Sequence, residues 1–251
     1  MCQLIGQNII QIRSTGSSNN YAIQQVRDNE VIEGTVFLAY EQTAGKGQLA
    51  NTWESEPGMN LTFSIFLQPS FLDIRKQFML SKVVCLGIEA FLSGFADGVK
   101  IKWPNDIYVN NKKICGILIE NSVMNGLITQ SIVGVGLNIN QGRFVSDAPN
   151  PVSLKMITGK NYDLDDFLRQ LLISIDGYYK KLMDEEFQLL DDLFCQKLYQ
   201  LDELHWYQDE THQYQGIIQG VNEIGQLQIK EQDGLLNEYH FKEVSYLAKE
   251  K

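Results

Sequence analysis

Two lysine positions stand out as the residues of this chain best suited to chemistry. Residues 102–106 read Lys-Trp-Pro-Asn-Asp, and another lysine follows at Lys113. The chain has a formal net charge of −10 at pH 7, so an apolar strand that delivers a lysine into a polar corner needs an explanation, and an anionic ligand provides one. A lone lysine is more often a solvated surface residue. The whole pentapeptide, with the Lys-x-x-Gly strand after it, favours a binding site.

The surrounding sequence predicts a strand, a corner and a hairpin. Val99–Trp103 alternates apolar and polar residues, as a half-buried strand does. Pro104 ends or bends this strand because it cannot donate a hydrogen bond to the ladder. Ile107–Val109 resumes the strand, and residues 110–113 predict a hairpin turn into Ile114–Glu120. Lys102 and Lys113 come together only if the register of the two strands allows it.

The rest of the chain predicts an α+β region followed by short strands. The predicted strands are Asn8–Arg13, Thr35–Glu41, Asn60–Leu67 and Leu127–Asn140. One predicted helix is short and begins at Tyr21. The other predicted helices cover Asp73–Phe95, Asp163–Met183 and Glu185–Leu201. Short alternating segments at Tyr214–Asn222, Gln226–Glu231 and Leu235–Phe241 indicate a small β-barrel of about fifty residues.

A glycine-containing loop, Thr43–Gly58, lies between the second and third predicted strands. Gly45 and Gly47 lack a Cβ and let backbone amides approach an anion, and Lys46 adds charge at the same place. Alone this signal is weak, because such loops are more often flexible turns. The loop lacks the spacing of a Walker loop, and residues 134–136 do not begin a dinucleotide fingerprint because position 139 is isoleucine.

Five motifs in order resemble those of biotin protein ligases. They are the Ser/Asn turn at 14–20, the loop 42–48 with Trp53 and 55–61 after it, the block at 102–106, Lys-x-x-Gly at 113–116 and Gly-x-Gly-x-Asn at 134–138. The similarity runs from about Asn8 to Asn140. It implies an ATP-dependent ligase that activates biotin as biotinyl-5'-AMP and transfers it to a lysine of a biotin carboxyl carrier domain.

The resemblance also implies the architecture. We expect an α+β fold with a mixed sheet flanked by helices, as in class II synthetases, and a small C-terminal SH3-like β-barrel. The expected domains are a catalytic one at residues 1–200 and the barrel at residues 201–251. An N-terminal winged helix-turn-helix has no room before the Ser/Asn turn, so we expect a monofunctional ligase that does not bind DNA.

Residue roles follow from the same resemblance. The implied biotin contacts are Ser17, Ser18, Asn19, Gln42, Gly45, Lys46, Gly47, Gln48, Lys102, Gly116 and Gly134. The implied ATP contacts are Lys46, Trp53, Asn105, Asp106, Lys113 and Asn138. Lys102 is the expected catalytic cation, and Asp106 and Asn105 are candidate direct or water-mediated contacts to Mg²⁺. An alternative register would use Ser14 and Thr15 for biotin, and helix capping or core packing competes with several of these roles.

Two departures from the family pattern affect the loop. Lys46 and Gln48 stand where arginines are common, and Ala50 replaces a common glycine. Lysine keeps the charge and loses the bidentate fork, and glutamine loses the charge. We therefore expect the loop to hold the adenylate less firmly.

Composition argues against several classes of protein. A sequence pI near 4.8 argues against general nucleic-acid binding, and scattered cysteines with neither a signal peptide nor a long apolar run favour a soluble cytoplasmic protein. A lipoate–protein ligase of the same fold and a non-catalytic biotin-binding protein remain alternatives. The strand edges allow a homodimer, with no surface selected.

Overall fold

The computed structural model describes residues 3–47, 51–146 and 149–247. The strands of the first sheet are β1 (Ile9–Ile12), β2 (Val36–Ala39), β3 (Leu61–Leu67), β4 (Val99–Lys102), β5 (Asp106–Val109), β6 (Lys112–Met124) and β7 (Leu127–Leu137). The helices are α1 (Ser18–Asp28), α2 (Phe78–Leu92), α3 (Leu154–Thr158), α4 (Leu164–Met183) and α5 (Phe187–Gln196). The C-terminal strands are β8 (Leu204–Gln208), β9 (Gln213–Val221), β10 (Leu227–Glu231), β11 (Leu236–Tyr239) and β12 (Ser245–Tyr246).

The first sheet is mixed and has the strand order β1-β2-β3-β7-β6-β5-β4. Strands β1 and β2 are parallel, and the other neighbours are antiparallel. Strand β3 is buried along its whole length, as expected for an apolar strand covered on both faces. Because side chains alternate along a strand, each strand contributes to both faces.

Helices cover the two faces of this sheet unequally. Helix α1 packs on one face around a small core that includes Ala22, Phe37 and Phe66. Helices α2, α4 and α5 contribute to a large core that contains the odd-numbered residues of β3. Helix α2 is buried on most of its circumference, so it lies in the interior rather than at a surface. None of the helices among the described residues has the length and apolarity to cross a membrane.

A separate five-stranded antiparallel sheet follows, with the order β11-β10-β9-β8-β12. Buried side chains of this sheet, including Tyr207 and Ile218, belong to the same large core as α2 and α4. The predicted fold class, a mixed sheet flanked by helices with a small C-terminal β-region, is confirmed. Closure of the second sheet into a barrel and the domain boundary at residue 200 stay predictions.

The element boundaries differ from the sequence prediction in three helices. Helix α1 begins at Ser18 rather than Tyr21. The predicted helix Asp73–Phe95 is divided into a 3₁₀ turn, Ile74–Lys76, and α2. The carboxylate of Asp73 accepts the backbone N–H of Arg75 at 2.8 Å, which stabilises this separate turn. The predicted helix Glu185–Leu201 is shorter, and α3, β8 and β12 were not predicted.

Candidate active site

A cavity of about 570 Å³ lies on the α1 face of the first sheet. It falls within the usual size range of small-molecule sites. Its described lining comprises Ser17, Ser18, Asn19, Gln42, Lys46, Gly47, Asn51, Thr52, Trp53, Lys102, Trp103, Pro104, Asn105, Asp106, Lys113, Gly116, Ile117, Leu118, Gly134, Val135, Gly136, Phe241, Lys242, Val244, Ser245 and Tyr246. Most residues predicted from separate motifs therefore meet in one place.

The floor of the cavity is made of glycines on adjacent strands. Gly116 of β6 pairs with Gly136 of β7, and Gly134 lies on the same face two residues before Gly136. A Cβ at Gly134 would overlap the amide of Asn19, and one at Gly136 would overlap the indole of Trp53. Both positions need glycine because side chains from outside the sheet rest directly on its backbone.

The N-terminus of α1 forms the polar end of the cavity. Ser17 is the N-cap residue, yet its side chain makes no capping hydrogen bond. The side-chain carbonyl of Gln42 accepts the backbone N–H of Ser18 at 2.7 Å instead. Helix capping by glutamine thus leaves the hydroxyl of Ser17 at the cavity wall. Ser14 and Thr15, the alternative register, are not among the described lining residues.

Below this helix a buried polar network connects α1 to the sheet. The hydroxyl of Ser64 donates to Oδ1 of Asn19 at 2.6 Å and lies 2.8 Å from the hydroxyl of Ser18. Nδ2 of Asn19 donates to the carboxylate of Glu120 at 2.8 Å. Ser64 was not predicted as a site residue; its only sequence signal is a serine inside a mostly apolar strand.

The described ends of the glycine loop, residues 45–47 and 51–53, pair with each other as the two arms of a hairpin. The backbone N–H of Trp53 donates to the carbonyl of Gly45 at 2.9 Å, and that of Gly47 donates to Asn51 at 2.7 Å. A Cβ at Gly45 would lie 2.7 Å from the carbonyl oxygen of Trp53, so glycine permits the close approach. Gly45 itself is buried and is not among the described lining residues. The predicted contact Gln48 lies outside the described residues.

Lys46 joins this hairpin to helix α1. Its ammonium donates to Oδ1 of Asn20 at 2.9 Å. Lys46 is exposed, so water screens this contact and it stabilises the loop only slightly. The ammonium is therefore free to exchange Asn20 for a phosphate or carboxylate.

Trp53 lies across the glycine floor. Its ring approaches Gly116 and Gly136, and Nζ of Lys113 is 5.8 Å from the ring centroid. The indole N–H is buried and has no hydrogen-bond partner among the described residues. An unpaired buried donor is unfavourable, and an acceptor on a bound ligand would satisfy it.

The Lys-Trp-Pro-Asn-Asp block forms the opposite wall. Lys102 ends β4, the Trp103–Pro104 peptide bond is cis, and the side-chain amide of Asn105 donates to the carbonyl of Ile117. Asp106 begins β5, and its Oδ1 lies 2.6 Å from Nζ of Lys113. The hairpin register therefore brings the two predicted lysine positions to the same cavity, and Asp106 pairs with the second of them.

The ammonium of Lys102 has an aromatic environment. It donates to the hydroxyl of Tyr108 at 3.3 Å and lies 4.8 Å from the ring centroid of Tyr108 and 4.6 Å from that of Tyr246. Burial lowers the pKa of Lys102; the nearby Asp106 opposes this effect and Lys113 adds to it. Burial disfavours the charged form of an ammonium, so this lysine would gain from a bound anion.

Sequence reasoning missed the contribution of the C-terminal sheet. Residues Phe241, Lys242, Val244, Ser245 and Tyr246 line the cavity. The N–H of the Trp103 indole donates to the carbonyl of Gly225 at 2.9 Å and anchors this sheet to the block. No local sequence signal joins segments so far apart in the chain.

Asn138, a predicted nucleotide contact, lies outside the described lining of the cavity. It is buried, and its amide donates to the carbonyl of Val152 at 3.1 Å. Its Oδ1 has no hydrogen-bond partner among the described residues. The nucleotide contact of Asn138 stays a prediction.

The cavity has the charge of an anion-binding site. Its described lining includes four lysines, at 46, 102, 113 and 242, and one carboxylate, Asp106. This local excess of positive charge occurs in a chain of net charge −10. Preorganised cations in a partly buried site stabilise negative charge that develops during group transfer.

The fold agrees with the comparison to known proteins. The model of the biotin/lipoate A/B protein ligase family matches residues 10–138, and the chain belongs to this family. The bifunctional ligase/repressor BirA of Bacillus spizizenii is 31% identical over 195 residues, which are 74% of this chain and 58% of that protein. The chain thus spans less than two thirds of the length of this relative.

Two further relatives match over most of their own length. The biotin--[acetyl-CoA-carboxylase] ligase of Paracoccus denitrificans is 29% identical over 197 residues, covering 76% of this chain and 81% of that protein. Among solved structures, the biotin protein ligase of Aquifex aeolicus in complex with biotin and ATP superposes with a TM-score of 0.78 at 27% identity. That match covers 95% of this chain and 98% of the other.

Proposed function

We propose that this chain is a biotin–protein ligase. It uses ATP to convert biotin into biotinyl-5'-AMP and transfers the biotinyl group to a lysine of a biotin carboxyl carrier domain, as in acetyl-CoA carboxylase or a related carboxylase. The observation that carries the proposal is the position of Lys102, at the wall of a cavity with a polar pocket at one end and two further lysines, Lys46 and Lys113, beside it. Related proteins named as biotin ligases support it.

The polar end of the cavity suits the ureido ring of biotin. Ser17, Ser18, Asn19 and Gln42 offer hydroxyl and amide groups there, and Ser64 and Glu120 fix the amide of Asn19. A ureido group both donates and accepts hydrogen bonds, whereas the dithiolane ring of lipoate does neither strongly. A site built to hydrogen-bond a ring rejects an analogue that leaves these groups unpaired, which favours biotin over lipoate.

The glycine floor and the lysines suit the nucleotide. Asn19 and Trp53 lie directly on the glycine floor, so a ligand rests on these side chains, and Trp53 provides a flat face for adenine. Lys46, Lys113 and Asn105 are proposed phosphate contacts. Asn138 is left out of this proposal because, unlike Asn105, it is not among the described lining residues of the cavity.

Lys102 addresses the main electrostatic obstacle of the first step. An oxygen of the biotin carboxylate attacks the α-phosphorus of ATP, the bond to the β-phosphate oxygen breaks, and pyrophosphate leaves. Both reactants are anions, and their repulsion is strong in a site that excludes water. An ammonium between the carboxylate and the α-phosphate stabilises the charge that builds up there. Lys102 acts as an electrostatic clamp and forms no covalent bond.

The lining also fits Mg²⁺ held mainly by the nucleotide. Mg²⁺ commonly keeps several waters and binds one or two carboxylates together with substrate phosphates, and Asp106 is the carboxylate of the described lining. When bound, Mg²⁺ would neutralise phosphate charge. Lys113 already pairs with one oxygen of Asp106, and this ion pair holds the carboxylate toward the cavity.

In the second step a neutral lysine amine of the carrier domain attacks the carbonyl carbon of the mixed anhydride, and AMP leaves. The described arms of the hairpin, residues 46–47 and 51–53, line the cavity and limit hydrolysis of the anhydride by water. With Lys46 in place of the usual arginine, this hairpin makes fewer fixed hydrogen bonds to the adenylate. We place the reaction in the cytoplasm, since ATP and the carrier domain are found there and the described cysteines are free thiols.

Pyrophosphate exchange tests the proposed function. The purified chain is incubated with ATP, labelled pyrophosphate and Mg²⁺, with biotin in one series and lipoate in another. Exchange that depends on biotin and is weak with lipoate is expected, followed by label transfer from biotin to a carrier domain. Exchange with lipoate alone would assign a lipoate ligase, and biotin binding without any exchange would show a non-catalytic binding protein.

A further inference from the structure

We propose that Tyr246 is a positioning residue for Lys102: its ring, together with that of Tyr108, holds the ammonium at the wall of the reaction cavity. This inference rests on the proposed function for its catalytic consequence and on geometry for the contact itself. Tyr246 belongs to β12, in the C-terminal sheet, whereas Lys102 and Tyr108 belong to the first sheet. The second sheet would thereby act on the reacting groups through one side chain.

The distances define an aromatic clamp around the ammonium. Nζ of Lys102 lies 4.6 Å from the ring centroid of Tyr246 and 4.8 Å from that of Tyr108. Cation–π attraction operates within about 6 Å of a ring centroid and is strongest where the cation has lost water. Lys102 is half-buried, so both rings contribute.

The ring of Tyr246 is itself fixed. It packs against Tyr207 and Tyr199, with centroid distances of 5.5 Å and 6.2 Å, and β12 pairs with β8 so that Tyr246 lies opposite Tyr207. The backbone N–H of Leu247 donates to the carbonyl of Trp206 at 3.0 Å. The hydroxyl of Tyr246 is buried without a hydrogen-bond partner among the described residues, so the ring, and not the hydroxyl, carries the contact.

Tyr246 also closes the route by which Lys102 could leave the cavity. A second groove of about 890 Å³ shares Lys102 and Tyr246 with the reaction cavity and is also lined by Tyr108. A flexible lysine side chain has many rotamers. With the ring in place, the ammonium is kept on the side where carboxylate and phosphate meet.

Kinetics of three variants test the catalytic consequence. Tyr246→Leu is expected to lower kcat of biotin-dependent exchange about tenfold, while KM for biotin and for ATP changes little. Tyr246→Phe keeps the ring and should restore kcat to within about twofold of the parent chain. Tyr239→Leu removes another buried tyrosine of the same sheet, away from the cavity, and controls for general loosening. Equal loss in Tyr246→Leu and Tyr246→Phe would overturn the proposal.

Nuclear magnetic resonance of the ligand-free protein tests the contact without any catalysis. In chain labelled with ¹³C at the lysine ε-carbon, the Lys102 resonance is identified by its absence in Lys102→Met. Ring currents of the two tyrosines should shift its ε-protons upfield, and Tyr246→Leu should remove much of that shift whereas Tyr246→Phe retains it. An unshifted Lys102 signal in the parent chain would refute the clamp even if neither Tyr246 variant folds. A shifted signal without exchange would refute only the proposed function.

Discussion

Strand β4 presents two lysines on one face, and only the second lies in the cavity. Lys100 is exposed, whereas Lys102 is half-buried between aromatic rings. The difference arises because β4 ends at Lys102 and the chain turns sharply through Pro104. Position along the strand, rather than residue type, therefore assigns the chemical role.

Replacing Lys102 by methionine should abolish most of the activity. The side chain keeps its approximate length and loses the charge between the two anionic reactants, so we expect exchange to slow by about 10²–10³-fold. The thermal unfolding temperature should not fall, because an apolar group replaces a partly desolvated ammonium. Initial rates of pyrophosphate exchange and a thermal melt measure both effects.

Lys100→Met provides the matched control on the same strand and face. Its rate should stay within about twofold of the parent chain. A normal rate in Lys102→Met, or an equal loss in Lys100→Met, would contradict the assignment of the central cation.

At this scale the sequence predicted residues that belong to contiguous motifs. Ser17, Gln42, Trp53, Lys102 and Lys113 all reach the cavity, because each motif fixes its own local geometry. Residues that act across the fold were missed. Ser64 carries no motif, and Tyr246 becomes relevant only when β12 pairs with β8, a contact that depends on long-range docking.

At the level of elements, the hairpin from Gly45 to Trp53 is held at its end by the carboxylate of Glu54. This side chain accepts the backbone N–H of Val145 at 2.9 Å and that of Ser146 at 2.8 Å. Burial raises the pKa of Glu54, and hydrogen bonds from Ser146, Val145 and Gln141 together outweigh it, so the net effect is a lowered pKa. The contact ties Trp53 to the segment after β7.

Glu54→Gln should loosen this tie. The neutral amide accepts hydrogen bonds less strongly than a carboxylate, so Trp53 is less well placed and KM for ATP should rise about fivefold, with biotin affinity unchanged. Steady-state exchange kinetics measure KM for ATP, and calorimetry measures the affinity for biotin. Glu56→Gln, an exposed neighbour, is the control.

The sign of the pH dependence follows from the lowered pKa. Because the folded-state pKa of Glu54 lies below its ordinary value of 4.5, the tie contributes fully above that value and is lost as the pH falls through the lower, folded-state pKa. An ATP affinity that already weakens between neutral pH and 4.5 in the parent chain, but not in Glu54→Gln, would contradict this account.

Strands with clear alternation of apolar and polar residues, or with long apolar runs, were predicted well. Burial of one or both faces of a strand determines its residue pattern and also stabilises the strand. Helix ends were predicted less well. Helix α1 begins earlier than expected because Gln42, distant in sequence, supplies the cap. Strand β12 has only two residues, too few for any period to be visible.

At the scale of the whole molecule, the C-terminal sheet completes the site. Trp103 holds it through the hydrogen bond to Gly225 and an edge contact with Phe241 at 6.3 Å. The ring of Phe78 lies directly against Gly225, where a Cβ would collide with it. Composition alone indicated an acidic chain and gave no sign that its lysines converge, because net charge says nothing about where charges meet.

Trp103→Phe should weaken the docking of the second sheet. Loss of one hydrogen bond costs about 1 kcal/mol, so we expect hydrogen exchange in residues 222–226 to become about fivefold faster, with a smaller decrease in kcat. Mass spectrometry of deuterium uptake measures the first effect. The control Trp206→Phe, in an exposed position of the same sheet, should change neither the deuterium uptake nor kcat. Unaltered uptake in Trp103→Phe would exclude Trp103 as the anchor.

The cavity takes one wall from the first helix and another from the last described strand. A ribosome must therefore complete almost the entire described polypeptide before Ser17 and Tyr246 can face each other. Under the proposed function, unfinished copies would lack the wall that Tyr246 forms, so formation of the reactive anhydride would be slower while the chain is still being synthesised. Full activity would begin only with the final folding event.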